Sequence, residues 1–142
     1  MKIGILGVGH LAGYLMQGAQ GVTFVLSPGS GDKAARLAAT HGCAVAASNQ
    51  ALVDQCEMVL VCLPAATGLA VLEGLRFRAG QSVCSAMAGA AHPALAAAVA
   101  PARAFCTMMP GFANAYAVGP SLLYPDDAAW QAFLARLGRT DA

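Results

Sequence analysis

Three small residues near the start of the chain are spaced for one kind of chemistry. In "KIGILGVGHLAGYLMQGA" an apolar run ends in Gly7-Val8-Gly9-His10-Leu11-Ala12, and an amphipathic stretch follows. The pattern is Gly-x-Gly-x-x-Ala between a strand and a helix, which suits a phosphate held by backbone. Gly7 permits a tight turn out of the strand, Gly9 lets a pyrophosphate approach the main chain, and Ala12 lets the helix pack closely on the sheet. The N–H groups and the positive dipole end at the helix start then favour an anion. A dinucleotide is the implied ligand, with Gly7, Gly9, His10, Leu11 and Ala12 against it. His10 stands at the helix entrance, where lining the pyrophosphate and capping toward solvent are both open.

The end of the second apolar run selects among dinucleotides. A carboxylate there would hold both ribose hydroxyls of NAD(H) and repel a 2′-phosphate. The chain instead has Ser27-Pro28-Gly29-Ser30-Gly31, with Lys33 close behind. The hydroxyls of Ser27 and Ser30 and the nearby ammonium suit a 2′-phosphate, so NADP(H) is expected ahead of NAD(H). Asp32 is read as the N-cap of the next helix. Two further strand ends, Leu63-Pro64-Ala65 and Ser85-Ala86-Met87-Ala88-Gly89, should reach the same edge of the sheet. Leu63, Pro64 and Ala88 are expected beside the cofactor. Met87 and Gly89 are expected beside the substrate, with Met87 against the nicotinamide ring and Met109 and Pro110 nearby.

No catalytic constellation accompanies these segments. Ser85 has no evident His and Asp companions, and His41 and His92 lie apart without metal-ligand spacing, so no metal is expected. Hydride transfer needs no such set, because the cofactor carries the chemistry and the protein orients it. A dinucleotide sensor that binds without turnover is the alternative from another functional class.

The elements that must position these residues follow from the patterning. Apolar runs at Lys2–Leu6, Val22–Leu26, Ala44–Ala46, Met58–Cys62, Ser82–Ala86, Ala104–Thr107 and Ser121–Tyr124 read as strands. Helical stretches lie near Leu11–Ala19, Asp32–Thr40, Asn49–Gln55, Ala66–Leu72, Pro93–Val99 and Asp126–Leu137. The early strands are apolar almost throughout, as strands covered on both faces must be. The alternation predicts an α/β fold with a doubly wound, mostly parallel sheet, a Rossmann fold, because parallel neighbours need helical crossovers. Ser48 or Asn49 is placed to cap the third helix, Asp126 and Asp127 begin the last one, and Gly138 ends it. Met108–Pro120, rich in Gly, Pro and Ala, reads as a long loop of the kind that often carries function.

Composition narrows the classes further. The chain has 142 residues, enough for one dinucleotide-binding domain over 1–142. A formal charge of +1 with 11% charged residues excludes a polybasic nucleic-acid binder. Hydrophobic residues make up 58% of the chain, but the uncharged stretch from Ala79 to Ala102 is broken by Gln81, Ser82, Ser85, His92 and prolines, and the uncharged N-terminal run by Gly4, Gly7, Gly9, His10 and Gly13, so no spanning helix is expected. Cys43, Cys56, Cys62, Cys84 and Cys106 form no Cys-x-x-Cys pair and are read as free thiols of a cytoplasmic protein.

On these residues the chain resembles the Rossmann domain of the pyrroline-5-carboxylate reductase family. "MKIGILGVGHLA" is similar to the family's "MKIGFIGAGNMA", and "SAMAG" at Ser85–Gly89 to its "SIAAG". Asn49 in "ASNQ" stands where the family has an Asn near the adenosine, and "MMPGFANAYAVGPSLLYP" is similar to "AMPNTPALVGEGATALYA". The likeness runs over essentially the whole chain. It implies NADPH as cofactor, hydride transfer to the C=N bond of a cyclic imine, proline biosynthesis, a small-molecule substrate and a homodimer. It also implies a C-terminal helical dimerisation domain that is absent from these residues, making the chain either a fragment of a longer reductase or a natural short protein. Three positions depart from the family. "VCLPA" at Val61–Ala65 replaces its Lys-Pro and looks more like β-hydroxyacid dehydrogenases or imine reductases, the loop reads Met109-Pro110-Gly111-Phe112-Ala113, and Thr107 stands in place of an Arg. A C=O acceptor therefore stays open beside the imine.

Overall fold

The structure, a computed structural model, describes residues 1–29, 32–109, 111, 115–118, 120–138 and 140–141. Its first half alternates strand and helix: β1 (Lys2–Leu6), α1 (His10–Gly18), β2 (Thr23–Leu26), α2 (Lys33–His41), β3 (Ala44–Val45), α3 (Asn49–Gln55) and β4 (Met58–Val61). The rhythm continues through α4 (Ala65–Glu73), β5 (Ser82–Ser85), α5 (His92–Val99) and β6 (Arg103–Met108). It then changes to β7 (Ser121–Tyr124), α6 (Ala128–Ala135) and β8 (Thr140–Asp141).

The sheet has eight strands in the order β3-β2-β1-β4-β5-β6-β7-β8. Neighbours from β3 to β6 are parallel, while β7 runs antiparallel to β6. The reversal has a simple cause. A helix joins each parallel pair of consecutive strands, whereas the described residues between β6 and β7 form no α-helix that could carry the chain back across the sheet. This is the doubly wound architecture expected from the patterning. The two-residue β8, paired to β7 through Ser121↔Thr140, is an addition to the strands read from the sequence.

Both faces of the central strands are covered. Ile3, Ile5, Leu60 and Cys84 pack under α1, α2 and α6 with Leu15, Ala34, Trp130 and Phe133. Val59, Val61 and Val83 pack under α3, α4 and α5 with Leu52, Leu72 and Leu95. Gly4 is a close approach: a Cβ there would lie 2.7 Å from Leu52 Cδ2 and 2.9 Å from Cys56 Sγ, so α3 sits hard against β1. Trp130 is fully buried and donates its indole N–H to Ser82 Oγ at 3.1 Å, giving its polar atom a partner inside the core. Buried Gln81 ties the end of α3 to the start of β5. Its amide donates to the carbonyls of Val53 and Cys56 at 2.6 and 2.9 Å, and its oxygen accepts from Arg78 N–H at 2.7 Å. Gln81→Ala leaves the Cys56 carbonyl and the Arg78 amide short of partners and should cost about 2–4 kcal/mol, read as a lower urea midpoint at unchanged slope.

Helix starts resolve several expectations. Ser48, not Asn49, caps α3, its hydroxyl accepting from Ala51 N–H at 3.0 Å. Asp127 caps α6 by accepting from Trp130 N–H at 3.0 Å, so the helix starts at Ala128 and Asp126 lies outside it. Asp32 occupies the N-cap position of α2 but makes no capping bond. Its carboxylate turns to Arg36 instead, at 3.2 Å, which corrects the capping role read from the sequence.

Candidate dinucleotide site

The strand order reverses direction between β1 and β4, and α1 and α4 leave for opposite faces of the sheet. A crevice at the carboxyl ends of the strands follows from that topology. Gly7 lies at its floor with φ +95°, a conformation that a side chain resists. A Cβ on Gly7 would lie 2.7 Å from both the Cys62 carbonyl carbon and Leu63 N. Gly7 thus serves the turn and also lets the β1–α1 connection touch the β4–α4 connection. Ala12 is fully buried against the same face of the sheet, as close helix packing requires.

Gly9 is different in kind. It is the N-cap residue of α1 with φ −129° and ψ −156°, extended backbone that any residue adopts. A Cβ there would meet no described atom within 4 Å. Among the described residues, neither the backbone conformation nor a close neighbour requires glycine at this position. The start of α1 has no side-chain cap and no acidic residue in its first turn, so its positive end lacks a countercharge. α2, α4 and α5 also begin without a side-chain cap, at the ends of β2, β4 and β5. The edge expected to hold a ligand is where helix starts are left open.

Ser27 has a role other than the one read from the sequence. It is 1% exposed, and its Oγ accepts a hydrogen bond from Gly7 N–H at 2.9 Å. The hydroxyl expected to meet a 2′-phosphate is held inward, where it fixes the glycine turn from the end of the neighbouring strand. Ser27→Ala leaves the Gly7 amide without that partner, and should cost about 1–2 kcal/mol of stability and weaken dinucleotide binding several-fold. Thermal melting and calorimetric titration check the two effects separately.

Met87 is a second correction. It is 7% exposed, and its sulfur lies where a Cβ on Gly68 would fall, so α4 closes directly over it. Its thioether packs into the core face under α3, α4 and α5, while its N–H donates to Ser85 Oγ at 3.1 Å. It supports the β5–α5 connection from below and presents no side chain to a nicotinamide ring. Beyond it, Ala88 and Gly89 are exposed. Leu63 is half-buried, and Pro64 is the exposed N-cap residue of α4. Asn49, half-buried, is the first residue of α3. Met109 is half-buried and packs against the core cluster under α1, α2 and α6. Ser30 and Pro110 lie outside the described residues.

The structure adds a feature the sequence reading missed. A cavity of about 470 Å³ runs between α1 and α2, lined by Gly9, His10, Gly13, Tyr14, Gln17, Lys33, Arg36, Leu37, Thr40 and His41. It joins the start of the glycine helix to two cations on α2, and none of its described lining residues is acidic. The steps of three or four residues along both helices were a usable signal, but only once the two helices are known to be neighbours.

The cysteines take no part. All five are free. Burial raises the thiols of Cys43, Cys56, Cys84 and Cys106, and pushes Cys62 up to about 12, so none is a ready thiolate. No cluster of three or more potential metal ligands occurs among the described residues, and no described helix is long and apolar enough to cross a membrane.

Residues 2–89 match the family described as NADP oxidoreductase, coenzyme F420-dependent. The chain belongs to this family. The matched region runs from the first residue of β1 through the glycine turn to Gly89, and so contains every strand end discussed above except that of β6. Among solved structures, the chain is similar to a 1-pyrroline-5-carboxylate reductase from Streptococcus pyogenes, at 24% identity and a TM-score of 0.85, over 100% of this chain and 57% of that one. It is also similar to a pyrroline carboxylate reductase from Plasmodium falciparum with NADP bound, at 13% identity and a TM-score of 0.81, over 99% and 56% of the two chains. A reductive aminase from Aspergillus terreus in complex with NADPH4, cyclohexanone and allyl amine matches at 19% identity and a TM-score of 0.80, over 99% and 53%. These likenesses establish a shared fold, in agreement with the resemblance seen in the sequence. The chain spans little more than half the length of each of these proteins. A comparison with curated protein sequences finds no match.

Proposed function

We propose that residues 1–142 form a dinucleotide-binding domain that holds NADP(H) and serves an oxidoreductase acting on a small imine or carbonyl compound. Gly9 carries the reading. Its backbone conformation is ordinary and no described atom crowds it, so its lack of a side chain is explained by a ligand that must come close. Membership of an NADP oxidoreductase family supports the same conclusion.

The chain's own residues divide the work. Backbone N–H groups from Gly9 to Ala12 would hold the diphosphate, with Gly7 and Ser27 fixing the turn beneath. Asn49 would lie toward the adenosine, and Leu63, Pro64 and Ala88 would border the nicotinamide end. Gly89 and Met109 would face the substrate. When bound, the coenzyme supplies the hydride, and the β4–α4 and β5–α5 connections would position the acceptor.

The acceptor class rests on two observations that point differently. The structural relatives named above include a 1-pyrroline-5-carboxylate reductase and a reductive aminase, which favours C=N. The family description favours coenzyme F420 as the hydride partner. Titrating the purified chain with NADPH, followed by cofactor fluorescence and melting temperature, should give saturable binding and a stabilised protein; no response in either signal overturns the proposal. Loss of NADPH absorbance on adding a cyclic imine, a ketone with an amine, or F420 then separates the acceptors.

A further inference from the structure

The cavity between α1 and α2 shows how one coenzyme could be preferred over the other. Ser27 is not available to a 2′-phosphate, because it is 1% exposed and its oxygen is turned inward to accept from Gly7 N–H. The cations that share a cavity with Gly9 and His10 are Lys33 and Arg36, on the first two turns of α2. Arg36 already has a carboxylate partner, since its guanidinium meets Asp32 at 3.2 Å across one turn. Both side chains are well exposed, at 68% and 76%, so the bond is weak and readily exchanged for a stronger anion. Asp32 is also free to leave, because it makes no capping bond to α2.

We propose that Asp32 is an internal competitor of the 2′-phosphate: it occupies Arg36 in the free protein, and a phosphorylated ribose takes Arg36 from it. A phosphate monoester carries more charge than a carboxylate and offers three acceptor oxygens, so Arg36 gains by the exchange. An unphosphorylated ribose offers Arg36 nothing and leaves the pair in place. Lys33 adds a second cation on the same side of the cavity. The preference for NADP(H) is thus set by the net result of Lys33 and Arg36 against Asp32. The inference rests on the dinucleotide reading of the site but concerns only which coenzyme the site prefers.

Calorimetric titration with NADPH and with NADH tests it, and the ratio of the two affinities is the readout. Asp32→Asn should raise NADPH affinity about threefold at low salt, with the gain shrinking as salt is added, and should raise the NADPH-to-NADH ratio. Arg36→Gln should lower NADPH affinity about tenfold and lower the ratio with it. In the double variant the gain from Asp32→Asn should shrink, because the carboxylate acts through Arg36. An unchanged or lowered ratio in Asp32→Asn overturns the inference, as does a gain of equal size with Gln at position 36. If the unsubstituted protein binds both coenzymes and only the ratios fail to move, the competitor is refuted and the dinucleotide site stands. If it binds neither, the functional reading falls and this inference with it.

Discussion

Gly9→Asp should abolish dinucleotide binding while leaving the protein folded. The substitution puts a carboxylate at the start of α1, where the proposed diphosphate would lie, and like charges repel strongly in a partly desolvated seat. The expected loss is at least about 100-fold in affinity, or about 2.7 kcal/mol. Stability should hardly change, because φ −129° suits any residue and the new side chain meets no described atom within 4 Å at its Cβ. An acidic residue at this helix start even favours folding slightly through the helix dipole. The combination is diagnostic: lost binding with a normal melting temperature means that Gly9 is kept small for the ligand. Unchanged affinity means that the ligand does not lie there.

Gly7→Val should lose stability as well as binding. Gly7 holds φ +95°, and a Cβ would stand 2.7 Å from backbone atoms of Cys62 and Leu63. Backbone cannot step aside as a flexible side chain can, and a β-branched residue resists positive φ most of all. The two costs together should reach about 3–5 kcal/mol, a large part of the stability of a small protein. Urea denaturation should show the midpoint falling steeply, and binding should be lost because the turn is lost. A Gly7→Val protein as stable as the parent would mean that the contact between the β1–α1 and β4–α4 connections is not what fixes the turn. The two glycines of one motif are thus expected to fail in separable ways.

What could be read from the sequence was what is local. The glycine turn, the burial of Ala12 and the doubly wound order of elements all follow from spacings within about ten residues, and the structure has them. Side-chain direction across the sheet was not legible. Ser27 is bonded to Gly7, 20 residues away on the neighbouring strand, and no local pattern says which way its hydroxyl turns. Met87 among small residues at a strand end suggests a side chain against the nicotinamide ring, but Gly68 on α4 leaves a space that the buried Met87 side chain fills. Asp32 has the composition of a cap, and its choice of Arg36 one turn on is a contest between two weak local bonds. The cavity lining of Arg36, Thr40 and His41 depends on α2 lying beside α1, a tertiary fact. β8 is two residues long and exists only because β7 offers it an edge.

The central claim is that backbone amides at the start of α1 receive the phosphates of a dinucleotide. Backbone amide shifts of the isotope-labelled protein, followed through a titration with NADPH, test it residue by residue. The largest changes should fall on Gly9, His10, Leu11 and Ala12, with smaller ones along Lys33 to Arg36, and β7 should stay still. Saturable binding that moves other amides and leaves Gly9 to Ala12 unmoved would contradict the claim.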